Sequence, residues 1–172
     1  KETKANRRMD NPFVTKGYAG PEYFCDRVDE TRKLVELTTN GNNMALISPR
    51  RVGKTDLIHH CFGRPEIKDK YYTFHIDIYA TTSMCDFVNV FGKAILDELK
   101  PKGRSAWEGF LNMLRSVRSE VSYDINGTPS WSIRLGDITN PAATLDEIFA
   151  YLNAADKPCM VAIDEFQQIT RY

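Results

Sequence analysis

The sequence predicts an α/β fold in which a parallel sheet is flanked by helices. An apolar run at 44–47 leads into a Pro- and Gly-containing loop and then into a helical pattern. A second apolar run at 158–163 ends in Asp164 and Glu165. Helical and strand-like segments alternate between these two runs, an order that is typical of helices packed against a parallel sheet.

The first helix is predicted to begin at Asp26, with Asp29 three residues on, and to end at 40–41, an Asn-Gly pair. Its apolar residues are Val28, Leu34, Val35 and Leu37. The helix after the loop is expected to end near Gly63. Residues 71–79 (YYTFHIDIY) predict the next strand.

Three later helices are predicted from capping-box spacing, in which two side chains three residues apart bond backbone N–H groups at a helix start. The pairs are Ser83 with Asp86, Ser105 with Glu108, and Thr144 with Glu147. Apolar faces follow each pair and are expected to pack in the core. Their members are Phe87, Phe91, Ile95 and Leu99, then Trp107, Phe110, Leu111, Leu114 and Val117, and finally Leu145, Ile148, Phe149 and Leu152.

Between about 120 and 136 the apolar period changes to two. Apolar residues alternate with polar ones at 121–125 and again at 131–135, and an Asn-Gly pair at 126–127 lies between them. This pattern predicts a β-hairpin inserted into the α/β order. The hairpin would either shield a sheet edge or form an arm for a partner.

The loop at 48–55 (SPRRVGKT) has the spacing GxxxxGK[ST] of a Walker A phosphate loop, except that Ser48 replaces the first Gly. Backbone N–H groups of such a loop and of the following helix converge on phosphate oxygens. Lys54 would reach the β- and γ-phosphates, and the Thr55 hydroxyl would bind Mg²⁺. The predicted phosphate-binding residues are Arg51, Val52, Gly53, Lys54, Thr55 and Asp56.

The second apolar run would deliver Asp164 and Glu165 to the carboxyl edge of the sheet, where ligands of open α/β sheets bind. We expect Asp164 to hold Mg²⁺ together with Thr55. Glu165 would deprotonate the water that attacks the γ-phosphate, so Glu165 and Lys54 are the predicted catalytic residues. The alternative is a strand that simply ends in solvated acids.

The strand between the two motifs, and the Glu directly after the Asp, are similar to the additional-strand, catalytic-glutamate division of P-loop NTPases. Within it, the chain resembles the prokaryotic archaeal-type ATPases of the STAND class, which are related to AAA+ and origin-recognition ATPases. The resemblance covers nearly the whole chain, and its marks are the segments 21–27, 48–55 and 163–167.

The resemblance implies an ATP-binding domain in which Tyr23, Phe24 and Arg27 contact adenine. Relatives have a Phe-x-Gly-Arg box there, whereas this chain has Asp26 in place of the Gly. Because sensor and arginine-finger residues normally follow the acidic strand, the chain is expected to be the N-terminal portion of a longer protein. Residues 1–20 would then be an extension, and 21–172 an incomplete P-loop NTPase domain.

Bulk properties narrow the classes of function. With 172 residues, the chain is about one domain long, and its formal net charge of zero offers a polyanion no general attraction. Four widely spaced cysteines without a Cys-x-x-Cys pair are expected to be free and reduced, which indicates a cytoplasmic protein. No apolar run approaches the ~20 residues of a membrane span, so no membrane partner is expected.

We therefore expect a Mg²⁺-dependent domain that binds ATP or ADP and acts as an ATPase or nucleotide switch in a longer protein. The alternative is a non-catalytic interaction module with a degenerate nucleotide site, which Ser48, the Pro-Arg-Arg insert and the hairpin favour. A protein partner or self-association fits either hypothesis. DNA binding is suggested only by analogy with related folds.

Overall fold

The computed structural model separates the chain into two units, Lys1–Asp69 and Lys70–Tyr172. Each unit is described by itself. The described residues are 17–24, 26–49, 52–117, 122–123, 129–130 and 138–172.

The first unit is helical in its described part. After a short 3-10 turn at Pro21–Tyr23, it contains the helices α1 (Val28–Thr39), α2 (Lys54–Phe62) and α3 (Pro65–Lys68). Helix α1 contacts both of the others. The two helices predicted on either side of the loop are thereby confirmed, including the end of α1 at 40–41, where Gly41 has a left-handed φ of 77°.

The prediction of a strand at 44–47 is wrong. Residues 42–49 have no regular secondary structure, and the side chain of Ile47 is 94% exposed. A strand needs a neighbour for its backbone N–H and C=O groups, and no described residue pairs with this run. Four apolar residues are too few to distinguish a buried strand from an exposed segment.

The start of α1 also differs from the prediction. Asp26 and Arg27 have left-handed φ values of 64° and 62°, so both lie in a turn before the helix. The residue directly before the helix is therefore Arg27 and not Asp26. The Asp26 carboxylate accepts a hydrogen bond from the Arg27 N–H at 3.1 Å and does not cap the helix. Val28, predicted on the packing face, is 74% exposed.

The second unit is α/β, with a small parallel two-stranded sheet flanked by helices. Strand β1 (Tyr72–Asp77) pairs in parallel with β4 (Cys159–Asp164) from Tyr72 opposite Cys159 to Asp77 opposite Asp164. Both predicted strands are confirmed. Their last residues, Asp77 and Asp164, therefore end side by side at the carboxyl edge.

The core of the second unit forms mainly between the sheet and the three helices α4 (Met84–Leu99), α5 (Arg104–Met113) and α6 (Pro141–Asn153). The predicted apolar face of α4 is confirmed, since all four of its members are buried. The buried core residues are Phe74, Ile76, Ile78, Phe87, Val88, Phe91, Ile95, Leu96, Leu99, Trp107, Phe110, Leu114, Ile138, Ile148 and Leu152.

The predicted start of α4 is confirmed. The Ser83 hydroxyl accepts a hydrogen bond from the Asp86 N–H at 3.1 Å. The Asp86 carboxylate in turn accepts from the N–H and the hydroxyl of Thr82, at 2.9 and 2.7 Å. The reciprocal bond of the box thus goes to Thr82, one residue before the cap.

We expect Asp86→Ala to lower the free energy of unfolding of the second unit by about 1 kcal/mol at neutral pH. The hydrogen bonds from Thr82, that of the hydroxyl foremost, hold the pKa of Asp86 below its ordinary 3.8. This stabilisation is therefore complete above pH 3.8 and is lost as the pH falls through the folded-state pKa. Urea titrations monitored by circular dichroism between pH 2.5 and about 7 measure the difference.

The control for this prediction is Asp97→Ala, which removes a carboxylate from the same helix. Asp97 forms a solvent-exposed i,i+3 pair with Lys100, so its loss should change stability by less than about 0.5 kcal/mol. A difference between wild type and Asp86→Ala that stays constant across the pH series would contradict the assignment.

The other two capping boxes are wrong. Helix α5 begins after Gly103, which places Ser105 inside it, and Glu108 instead accepts a hydrogen bond from Arg104 Nε at 2.7 Å. The cap of helix α6 lies four residues earlier than predicted. Asn140 caps it, and Pro141 occupies its first turn.

Thr144 and Glu147, the third predicted box, take part in a hydrogen-bond network around Ser116. Glu147 accepts hydrogen bonds from the Ser116 N–H and hydroxyl, the latter at 2.7 Å, and Thr144 Oγ1 lies 2.8 Å from Ser116 Oγ. Thr144 is buried. The network ties the segment after α5 to α6.

The predicted hairpin is confirmed in part. Strands β2 (Ser122–Tyr123) and β3 (Pro129–Ser130) pair antiparallel, with Ser122 opposite Ser130. The predicted turn at 126–127 and the alternation at 131–135 lie outside the described residues. The hairpin's role as an arm or an edge shield stays a prediction.

Two further observations concern the described residues alone. Cys61, Cys85 and Cys159 are free thiols, and Cys25 lies outside the described part. None of the helices found there is both long and apolar enough to cross a bilayer.

Candidate functional site

The phosphate-loop motif enters α2 through Gly53. This residue precedes the helix with a φ of 71° and a ψ of 34°, a left-handed conformation that favours Gly. Its carbonyl accepts the first helical hydrogen bond, from the Leu57 N–H at 3.0 Å. A Cβ at this position would meet no atom closer than 3.9 Å, so the conformation rather than the space calls for Gly.

Ser48, the departure from the motif, needs no glycine-like conformation. Among the described residues other than Gly, only Asp26, Arg27 and Glu165 have a left-handed φ. Ser48 therefore turns the chain within the ordinary range of an L-residue. The substitution that favoured a degenerate site thus imposes no backbone strain at position 48.

The Lys54 side chain folds back over the loop. Its Nζ donates hydrogen bonds to the carbonyls of Ser48 and Pro49, each at 3.1 Å. Lys54 is also the first residue of α2, where N–H groups have no acceptor within the helix. The ammonium group of Lys54 is thus bonded to the loop residues that precede the start of α2.

The Arg27 side chain contacts the same loop. Its Nη1 donates to the carbonyl of Val52 at 2.9 Å and to that of Gly53 at 3.3 Å. Its Nε lies 3.3 Å from Oε1 of Glu30 on α1. The sequence analysis assigned Arg27 to adenine through the resemblance, and no spacing signal indicated this contact with the loop.

Phe24, the second residue assigned to adenine, stacks on His60 of α2. The ring centroids are 4.1 Å apart and the planes differ by 12°. The Tyr18 hydroxyl lies 3.1 Å from Nδ1 of His60. Burial, and then the charge of Arg64, lower the pKa of His60, which favours the neutral ring within this cluster.

No spacing signal in the sequence indicates this aromatic cluster. Tyr23, the third residue assigned to adenine, ends the short 3-10 turn, and its N–H bonds the carbonyl of Gly20 at 3.2 Å. Contact of Tyr23, Phe24 or Arg27 with a base stays a prediction.

The acidic pair lies at the end of β4 in the second unit. Asp164 Oδ1 accepts a hydrogen bond from the Glu165 N–H at 2.9 Å. Glu165 has a left-handed φ of 56°, and its carboxylate accepts a hydrogen bond from the side-chain amide of Gln167. Two local contacts therefore shape the turn that follows the strand.

Two residues of β1 lie beside Asp164. His75 Nε2 is 3.8 Å from Oδ2 of Asp164, so the two form an ion pair when His75 is protonated. Asp77 is the register neighbour of Asp164, and its own carboxylate accepts from the Tyr79 N–H at 2.8 Å. Two carboxylates, Asp77 and Asp164, therefore lie at the carboxyl edge of this sheet.

The described residues contain no group of three or more His, Cys, Asp or Glu side chains arranged to hold a metal ion. Mg²⁺ commonly takes one or two protein carboxylates and completes its shell with water and phosphate oxygens. Thr55 and Asp164 therefore stay predicted ligands. Thr55 and Asp56 occupy the first turn of α2, whereas Arg51 lies outside the described residues.

Comparisons of the chain with protein-family models, curated proteins and solved structures found no match. The likeness to STAND-class ATPases therefore depends on the motifs themselves. Of these, the loop at 48–55 and the strand end at 164–165 hold the residues predicted to bind nucleotide and Mg²⁺.

Proposed function

We propose that the first unit binds the triphosphate of ATP at the loop 48–55 and the N-terminus of α2. The observation that supports this most is the position of Lys54. Its ammonium bonds the carbonyls of Ser48 and Pro49, while Gly53 turns the chain into the helix. A cation, a tight loop and a helix start are thus combined within eight residues of sequence.

The charge distribution of this loop favours an anion. The first N–H groups of a helix and the positive end of its dipole attract phosphate. The ammonium of Lys54 and the guanidinium of Arg27, both bonded to loop carbonyls, add two positive charges. Asp56 in the first turn and Glu30, the partner of Arg27, oppose them with two negative charges, so the helix start supplies the attraction.

The acidic pair of the second unit supplies the hydrolytic part of the proposal. Asp164 is proposed as a Mg²⁺ ligand and Glu165 as the base that takes a proton from the attacking water. When bound, Mg²⁺ would neutralise charge on the phosphate oxygens.

Calorimetry with Mg-ATP tests the binding step. We expect micromolar affinity for the wild-type chain and a loss of about 10- to 100-fold in Lys54→Ala, which corresponds to one charged hydrogen-bonding group. Lys33→Ala, an exposed lysine on α1, is the matched control and should bind as wild type does. Absence of heat at millimolar Mg-ATP would contradict the proposal.

The second candidate is a non-catalytic interaction module. The exposed apolar side chains of Met44, Leu46, Ile47 and Val52 favour it, because they offer a partner apolar surface beside the loop. Such a module would give no calorimetric signal with nucleotide. DNA binding gains no support from the net charge of zero.

A further inference from the structure

We propose that Arg27 is a positioning residue for the phosphate loop, in addition to or in place of a role at adenine. Its guanidinium holds the carbonyl ends of two successive peptides, so that their N–H ends are fixed for the triphosphate. This inference rests on the proposed nucleotide binding and concerns a residue outside the Walker A motif.

The contacts of Arg27 fix its guanidinium on two sides. Nη1 bonds both Val52 O, at 2.9 Å, and Gly53 O, at 3.3 Å. Nε pairs with Glu30, which lies one turn further along α1. The side chain of Arg27 is 27% exposed, so water competes only in part for these bonds. The loop is thereby connected to the first turn of α1.

Because peptide groups are planar, the two contacts of Arg27 also fix the direction of the N–H groups in the same peptides. In a trans peptide the C=O and N–H bonds point in opposite directions. Because the carbonyls of Val52 and Gly53 point towards Arg27, the N–H groups of Gly53 and Lys54 point away from it. Those two N–H groups belong to the part of the motif whose donors bind phosphate.

The backbone at Arg27 is consistent with this role. Asp26 and Arg27 both have left-handed φ values, a region that Asp adopts more often than most residues but Arg rarely does. The carbonyl of Arg27 accepts hydrogen bonds from the N–H and the hydroxyl of Thr31, each at 2.9 Å. Thr31 is buried in the first unit, which anchors the turn that directs Arg27 to the loop.

Inorganic tripolyphosphate, which has no base, separates positioning of the loop from contact with adenine. We expect Arg27→Ala to weaken Mg-ATP and Mg-tripolyphosphate by the same factor, about 10-fold, in calorimetry. Arg27→Lys, which can bond one carbonyl but not hold two in the same geometry, should lose about 3-fold for both ligands. The matched control is Arg32→Ala, because Arg32 lies on α1, is exposed and pairs with Asp29 rather than with the loop.

Each outcome decides between the ideas. Loss of ATP affinity with unchanged tripolyphosphate affinity would replace loop positioning by an adenine contact. Wild-type affinities in Arg27→Ala would overturn the inference and leave the proposed function intact, whereas a wild-type chain that binds neither ligand would overturn both.

If Arg27→Ala does not fold in circular dichroism, Arg27→Lys and Glu30→Gln decide, since both leave a cation at position 27. An unchanged affinity of both variants for tripolyphosphate would then overturn the inference.

Discussion

Glu165→Gln should bind Mg-ATP as the wild-type chain does and hydrolyse it at least about 100-fold more slowly. The amide has nearly the shape of the carboxylate and keeps an oxygen that can accept the hydrogen bond from Gln167. It cannot take a proton from water. The expected result is therefore a change in the rate of the chemical step without a change in affinity.

Single-turnover release of phosphate, with binding measured in parallel by calorimetry, checks this prediction. Asp146→Asn on α6 is the control, because it removes the same charge from an exposed position. Equal turnover in wild type and Glu165→Gln would remove the catalytic role of Glu165. A loss of affinity in Glu165→Gln would instead assign Glu165 to binding.

Phe91→Ala should lower the free energy of unfolding of the second unit by about 3–5 kcal/mol. The side chain of Phe91 is 1% exposed and lies at the centre of the α4 face. Its ring is 5.9 Å from that of Phe87 and 5.7 Å from that of Phe149. Truncation removes buried apolar area and leaves a cavity between helices that can close only in part.

Phe149→Ala is the matched control, since Phe149 belongs to the same aromatic cluster but is 50% exposed. Its loss should cost about 1 kcal/mol, because only about half of its area leaves water on folding. Urea unfolding monitored by circular dichroism gives both values. Equal costs would contradict the assignment of Phe91, and not Phe149, to the buried core.

The elements that the sequence predicts well are those with a local periodic signal. Strands β1 and β4 and the apolar face of α4 follow from runs and spacings that need no knowledge of distant residues. The short run at 44–47 shows the limit of this reasoning. Whether such a run becomes a strand depends on a partner elsewhere in the chain, which its own residues do not specify.

The capping boxes show a second limit. Ser/Thr with an acid three residues on occurs inside helices as well as at their starts, as Thr144 and Glu147 demonstrate. The stronger signal for α6 was Asn140 followed by Pro141, because Pro fits the first turn of a helix and its missing N–H is not needed there. That pair of residues could have been recognised from the sequence.

The candidate site divides in the same way. The loop motif and the acidic strand end are contiguous segments and could be predicted from spacing. The bond between Arg27 and Val52 joins residues that are far apart in sequence and requires the left-handed turn at 26–27. No sequence rule indicates that turn when Asp rather than Gly occupies its first position.

The base of the hairpin has a consequence for how this fold can vary. Val117 and Ile138 form an antiparallel bridge, Ser116 bonds Glu147 of α6, and Ile138 belongs to the buried core. The two ends of the intervening stretch, 117 and 138, are therefore adjacent and fixed by the core of the second unit. Changes in the length or sequence of the stretch between Val117 and Ile138 can leave this core unchanged. We therefore expect related chains to differ most in that stretch.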